Sequence, residues 1–216
     1  SKIINNFSAE KKDPGQFKIK ASSENVFAIE ALDGQLITNK IAVKAIYNKG
    51  FCDADIENDI LKIAVVNRYN KAPVAVAFIK NTGLKNGAIA SCVAHDCHNI
   101  VAVGTNDKDI CTAVNLIIEN KGGISLANSI EKMILPLPIA GIMSNENAYD
   151  IAENYIAIDK KAKELGSKLR APYMSLSFMA LLVIPKLKLS DKGLFNGEDF
   201  SFVNVFCGET GSAKSL

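Results

Sequence analysis

The chain has 216 residues, 48% of them hydrophobic and 22% charged, the balance of a globular domain with a core of its own. A formal net charge of +2 on scattered lysines leaves no basic stripe for nucleic acid. No apolar run reaches the ~20 residues of a membrane span; Met179 to Ile184 is strand-sized and is cut off by Pro185. Five cysteines without C-x-x-C spacing, Cys52, Cys92, Cys97, Cys111 and Cys207, point to a reducing, cytoplasmic setting and not to a disulfide scaffold. Ser1 to Asn6 carries no hydrophobic leader segment, and a start at serine reads as a processed or trimmed chain.

The first sixty residues read as a strand-rich opening segment, part of the same domain as residues 61–216. Phe17 to Lys20 and Val26 to Leu32 alternate, and Asp33-Gly34 signals a hairpin turn before Leu36 to Tyr47. Phe51 to Asp59 is polar and acidic, the composition of a connecting loop. Ile63 to Asn67, Val74 to Ile79, Ala88 to Val93 and Ile100 to Val103 are four apolar strands. A helix is expected from Asp107 to Asn120, with Asn106 as its N-cap and Gly122-Gly123 as its stop. Leu135 to Gly141 holds two prolines that exclude a central strand. A second helix is expected from Glu146 to Leu165, capped by Ser144 and ended at Gly166, with Ala148, Ile151, Ala152, Tyr155, Ala162 and Leu165 as its buried stripe. Tyr173 to Ile184 and Phe200 to Phe206 read as β-type sequence. Grouped strands with few helices predict an α+β fold, mostly antiparallel β-sheets, two of them, flanked by helices.

Both histidines of the chain, His95 and His98, lie in one stretch with Asp96 and Cys97 between them and Asn99 behind. The segment joins two expected strands, so it falls at a sheet end. Three readings compete. His95, Asp96 and His98 can ligate a metal, although neighbouring side chains alternate in direction and do not easily face one ion. They can form an acid–base set in which Asp96 orients an imidazole. They can also be structural, with Asp96 capping backbone amides. Cys97 reads as a small buried residue more readily than as a nucleophile, and Cys92 and Cys111 as core. Gly104-Thr105-Asn106 has no P-loop lysine and reads as a plain strand-to-helix turn. Arg68 and Arg170, the only arginines, can each be a salt-bridge anchor or a ligand contact, and the solvated or ion-paired reading is favoured.

A series of blocks in order resembles the C-terminal region of bacterial adenine deaminases. They are Asn67-Arg68-Tyr69, Gly83 to Ala90, Val93 to Val101, Val103-Gly104, Ala113 to Asn115, Gly122-Gly123, Leu135 to Ser144, Ser177-Phe178, Val183 to Pro185, Leu187 to Leu189 and Lys192 to Phe195. The resemblance spans essentially the whole chain and is weakest over the first sixty residues. It implies an enzyme of the amidohydrolase superfamily, acting in purine salvage, that hydrolyses adenine to hypoxanthine and ammonia. It also implies a preceding (β/α)₈ barrel as partner, holding a divalent metal (manganese, iron or zinc) that activates a water. The barrel's His-x-His pair is absent here, so the chain looks like the C-terminal domain alone, inactive by itself. The family motif reads His-Asp-Ser-His-Asn, and Cys97 stands at the serine position; a thiol replaces a hydroxyl poorly as a hydrogen-bonding group. The resemblance favours a functional role for His95, Asp96 and His98, with His95, His98 and Asn99 as candidate contacts to the purine. A purine- or metal-binding module without turnover, and a structural or homo-oligomerising domain, are the alternatives.

Overall fold

The computed structural model of the chain describes residues 4–208, so Ser1 to Ile3 of the opening segment and residues 209–216 lie outside it. A 3₁₀ turn, Pro14–Phe17, leads into strands β1 (Ile19–Lys20), β2 (Asn25–Ala31), β3 (Thr38–Lys44), β4 (Ile46–Asn48) and β5 (Phe51–Asp53). Strands β6 (Ile60–Val66), β7 (Ala75–Lys80), β8 (Ala88–Ser91) and β9 (Ile100–Gly104) follow, then helix α1 (Asp107–Asn120). The chain continues through β10 (Gly123–Ala127), β11 (Lys132–Pro136), α2 (Ala148–Glu164), α3 (Pro172–Ser177), β12 (Leu187–Ser190), β13 (Gly193–Asn196) and β14 (Ser201–Phe202).

The central feature is an eight-stranded sheet in the order β11-β10-β8-β9-β6-β7-β2-β3. It is four antiparallel hairpins laid side by side, and its one parallel contact is β2 against β7. Alternation along β6 explains why all seven of its residues are buried. Leu61, Ile63 and Val65 enter the core under α2, α3 and the β12–β13 hairpin, while Ala64 and Val66 enter the core under α1. Strand β9 divides in the same way, Val101 and Val103 to one side and Ile100 and Ala102 to the other. A sheet covered on both faces needs such near-continuous apolar strands.

The α+β expectation holds, with sheets that are antiparallel apart from β2–β7 and helices on both faces. Among the described residues there are three sheets and not two: β1-β5-β4 and β12-β13-β14 stand beside the large one. Helix α1 has its expected bounds, and the Asn106 side chain accepts from Asp109 N as its cap. Helix α2 begins two residues later than expected, because Asn147 and not Ser144 caps it. Its buried side is Ile158, Ala162 and Leu165, with Ile151 and Tyr155 packed at the margin, whereas Ala148 and Ala152 are exposed.

Three segments depart from the sequence reading. Phe51–Asp53 is a strand, paired with β1 and β4, where a loop was expected. Pro14–Phe17 is a 3₁₀ turn capped by Asp13, so the expected Phe17–Lys20 strand shrinks to two residues. Tyr173 to Ile184 is the short helix α3 and a run of turns: Pro172 at its first position presets the helical φ. Leu135-Pro136 lies on the edge strand β11, where a proline is tolerated. Among the described residues no helix is long and apolar enough to cross a membrane.

Candidate functional site

Hairpin geometry decides which loops meet. Val66 pairs with Ile100 and Ser91 with Val101, so the β6–β7 loop (67–74) and the β8–β9 loop (92–99) leave the same end of the sheet side by side. Strand β10 begins and β11 finishes at that end, since Ile124 pairs with Ser91 and Gly123 with Pro136. Asn67-Arg68-Tyr69, Cys92 to Asn99, Gly122-Gly123 and the Ala140-Gly141 turn therefore converge, although up to 70 or so residues separate them in sequence.

The 92–99 loop is held mainly through its backbone. The Ser91 hydroxyl accepts from Val93 N at 3.0 Å as the chain leaves β8. His95 N donates to Ser177 O at 2.9 Å, and His98 N donates to Ala94 O at 2.7 Å. His98 takes a left-handed conformation, φ 49°. The two imidazoles are neighbours, centroids 6.3 Å apart and edge to face, and the other side of His95 lies on Phe178 at 4.7 Å. Both rings are half-buried, whereas Asp96 is exposed. Asn99 is turned inward, its side-chain oxygen accepting from Arg68 N at 3.2 Å, so that oxygen is engaged within the domain.

Burial is the main force pushing the His98 pKa below the ordinary imidazole value; the nearby Arg68 cation and His95 add to it, and Asp96 opposes them. His98 Nδ1 is buried with no hydrogen-bond partner among the described residues. Burial also raises the Cys97 thiol, with Asp191 and Asp96 adding to the rise. Cys97 thus stays protonated at neutral pH, packed at the margin of the core. Cys92 is fully buried and its pKa is pushed up to about 11 by burial. Its Sγ donates to Gly141 O and accepts from Gly123 N, a core role that also ties two loops of the site together.

The expectation of a solvated or ion-paired arginine fails at Arg68. This residue is 4% exposed. Its Nη1 donates to Ala140 O at 2.6 Å and its Nη2 to Tyr69 Oη at 2.9 Å, with the guanidinium 4.7 Å from the Tyr69 ring and 5.8 Å from that of Phe7. No carboxylate pairs with it among the described residues. Arg170 is exposed and lies 4.0 Å from Asp33, as a surface pair does. The Gly104-Thr105-Asn106 segment is a strand-to-helix turn, followed by Asp107 and Asp109 in the first helical turn. Tyr69, Ser177, Phe178 and Asp191 join the site without a local signal in the sequence. Asp191 accepts from Asn67 Nδ2 at 2.7 Å.

A metal needs several donors around one point. Among the described residues no group of three or more histidine, cysteine, aspartate or glutamate side chains is placed to hold one. His95, Asp96 and His98 do not by themselves fit a metal centre.

The fold and site describe an α+β domain that gathers one imidazole loop and its supports at a single sheet end. Residues 35–201 match the family model described as the adenine deaminase C-terminal domain, and the chain belongs to that family. It is 47% identical to the adenine deaminase of Methanosarcina acetivorans, over 88% of this chain and 34% of that protein. It is 47% identical to that of Salinibacter ruber, over 95% of this chain and 38% of the relative. With the Borreliella burgdorferi adenine deaminase the identity is 44%, over 93% and 37%. The chain thus spans little more than a third of the length of the curated relatives it matches.

Proposed function

We propose that the chain serves as the C-terminal domain of an adenine deaminase, which hydrolyses adenine to hypoxanthine and ammonia in cytoplasmic purine salvage, and that the 92–99 loop faces the reacting purine. The observation that carries this reading is the convergence of His95 and His98 with the Asn67–Tyr69 and Ala140–Gly141 segments on one sheet end. Ile4 and Asn5 pack at the same end: Ala140 N donates to Ile4 O at 2.8 Å, and Asn5 Nδ2 donates to Lys121 O and Pro138 O. A preceding amidohydrolase barrel is the partner that this reading implies. The divalent metal, manganese, iron or zinc, is bound mainly by that barrel. The chain alone is then inactive.

The contribution of this domain is positioning and proton handling. Hydrolysis forms a bond from water oxygen to the amidine carbon, breaks the bond to the exocyclic nitrogen, and delivers a proton to the departing amine. An imidazole held below its ordinary pKa is neutral at pH 7 and able to accept a proton and return it. His95, half-buried against Phe178, walls the same loop. The test is adenine-dependent ammonia release by the full-length protein, wild type against His95→Ala and His98→Ala at matched metal content. The expected loss is about 100-fold, the scale of a missing acid–base or positioning group. Near-wild-type turnover in both variants overturns the reading and makes the imidazoles structural.

A further inference from the structure

Arg68 is a cation with 4% of its surface exposed and no carboxylate partner among the described residues. A charge buried without a counter-ion is costly, and well-packed apolar residues of similar volume often serve stability better. What the guanidinium does touch is specific. Its Nη2 donates to Tyr69 Oη at 2.9 Å, and that hydroxyl donates onward to Cys97 O at 3.0 Å. Its Nη1 donates to Ala140 O at 2.6 Å. Its own backbone N donates to Asn99 Oδ1 at 3.2 Å, and its carbonyl accepts from Ser8 N and Ala9 N. Gly141 leaves room for this approach, since a methyl group there would overlap Arg68 Nη1. One residue at the end of β6 thus reaches the imidazole loop at two places, one on each side of His98.

We propose that Arg68 and Tyr69 are positioning residues for His98, a clamp in which the buried guanidinium polarises the Tyr69 hydroxyl and the hydroxyl fixes the Cys97 carbonyl. The chain of donors runs one way, from cation to hydroxyl to carbonyl, and each bond strengthens the next. Asn99, held by Arg68 N, pins the far side of the loop, so His98 lies between two anchored residues. Its left-handed backbone, φ 49°, is uncommon outside glycine, although histidine is among the residues that adopt it more readily. The inference rests on the proposed role of the imidazoles in adenine hydrolysis for its effect on turnover. The clamp itself is a statement about loop geometry.

The two parts separate experimentally. The chain contains only two histidines, so its imidazole nitrogen–proton spectrum has two spin systems, assigned with His95→Gln. The variants are Tyr69→Phe, which deletes one hydroxyl, Arg68→Met, and Arg68→Lys as the conservative replacement. Under the clamp, Tyr69→Phe and Arg68→Met shift the His98 resonances and broaden them, and Arg68→Lys restores part of the change. In the full-length protein kcat falls by roughly 10- to 100-fold, the scale of a misplaced group, with KM for adenine changing less than kcat. Imidazole spectra that stay at wild-type positions in a folded Tyr69→Phe chain overturn the clamp, whatever turnover does. Altered spectra with unchanged turnover support the clamp and count against the imidazoles' role in the reaction, as His95→Ala and His98→Ala then report independently.

Discussion

Lys188 is fully buried on β12, and its ammonium has one hydrogen bond, from Nζ to Leu36 O at 2.7 Å. Burial lowers its pKa from 10.5 to about 8. With about 1.4 kcal/mol for each tenfold change, keeping this group charged inside the protein at pH 7 costs on the order of 3 kcal/mol. Lys188→Met keeps most of the length and volume of the side chain and removes the charge. The Leu36 carbonyl loses a donor worth about 1 kcal/mol, but Leu36 is 44% exposed, so water can replace that donor. The substitution is therefore expected to stabilise the chain by about 2 kcal/mol at pH 7, measured by urea unfolding. The pH dependence gives a second check. Between pH 8 and 10.5 the unfolded lysine holds its proton while the folded one has lost it, so wild-type stability gains on the variant as pH rises through that window. A variant destabilised by 1 kcal/mol or more at pH 7, or a difference between the two proteins that stays flat from pH 7 to 10, refutes the reasoning.

Other perturbations follow from the same geometry. Lys62 is buried between Asp107 at 2.7 Å and Asp53 at 3.4 Å, so Asp107→Ala leaves its ammonium with the longer Asp53 contact and is expected to cost about 2 kcal/mol in chemical denaturation. The folded pKa of His98 lies below 6.5, and its contribution to stability is present above pH 6.5 and lost as pH falls through the folded value. His98→Gln removes that part of the acid slope, and NMR titration of wild type gives a His98 midpoint below that of an exposed imidazole. Gly141→Ala sets a methyl group against Arg68 Nη1 at a residue with φ 77°; a loss of about 2 kcal/mol, read as a lower unfolding midpoint, is expected.

Local signals and distant partners account for what was legible in the sequence. Helix α1 was readable to its ends because Asn106, the apolar spacing of Ile110, Ala113, Val114 and Ile117, and Gly122 all lie within one short window. Tyr173 to Ile184 was misread because a short apolar and aromatic run suits a strand and a buried helical turn equally; Pro172 was the overlooked signal. Strand β5 closes a tight hairpin with β4 across Lys49-Gly50, a local signal outweighed by the polar, acidic composition of Phe51 to Asp59, and its other partner, β1, lies thirty or so residues upstream. At the site, His95 and His98 stood out by rarity alone. The burial of Arg68 did not, since its partner Ala140 lies 72 residues further on. Periodicity does not encode that distance, and only the recurrence of both segments among the family-like blocks hinted that they meet.

The single parallel contact in the large sheet also has a kinetic meaning. From β6 to β11 each strand has one hairpin partner close in sequence, while the pairings between hairpins, β6 with β9 and β8 with β10, close loops of some forty residues or fewer. The β2–β3 hairpin joins the sheet by matching β7 about fifty residues on, and it is fastened further by the Val26–Phe206 bridge and by Thr38, whose hydroxyl donates to Leu187 O across 149 residues. Long-range closures of this kind set slow folding and make an edge the natural place for partial opening. The imidazole loop belongs to the locally closed half of the sheet. Release of the β2–β3 edge, visible as early amide exchange there, leaves the loops around His95 and His98 paired.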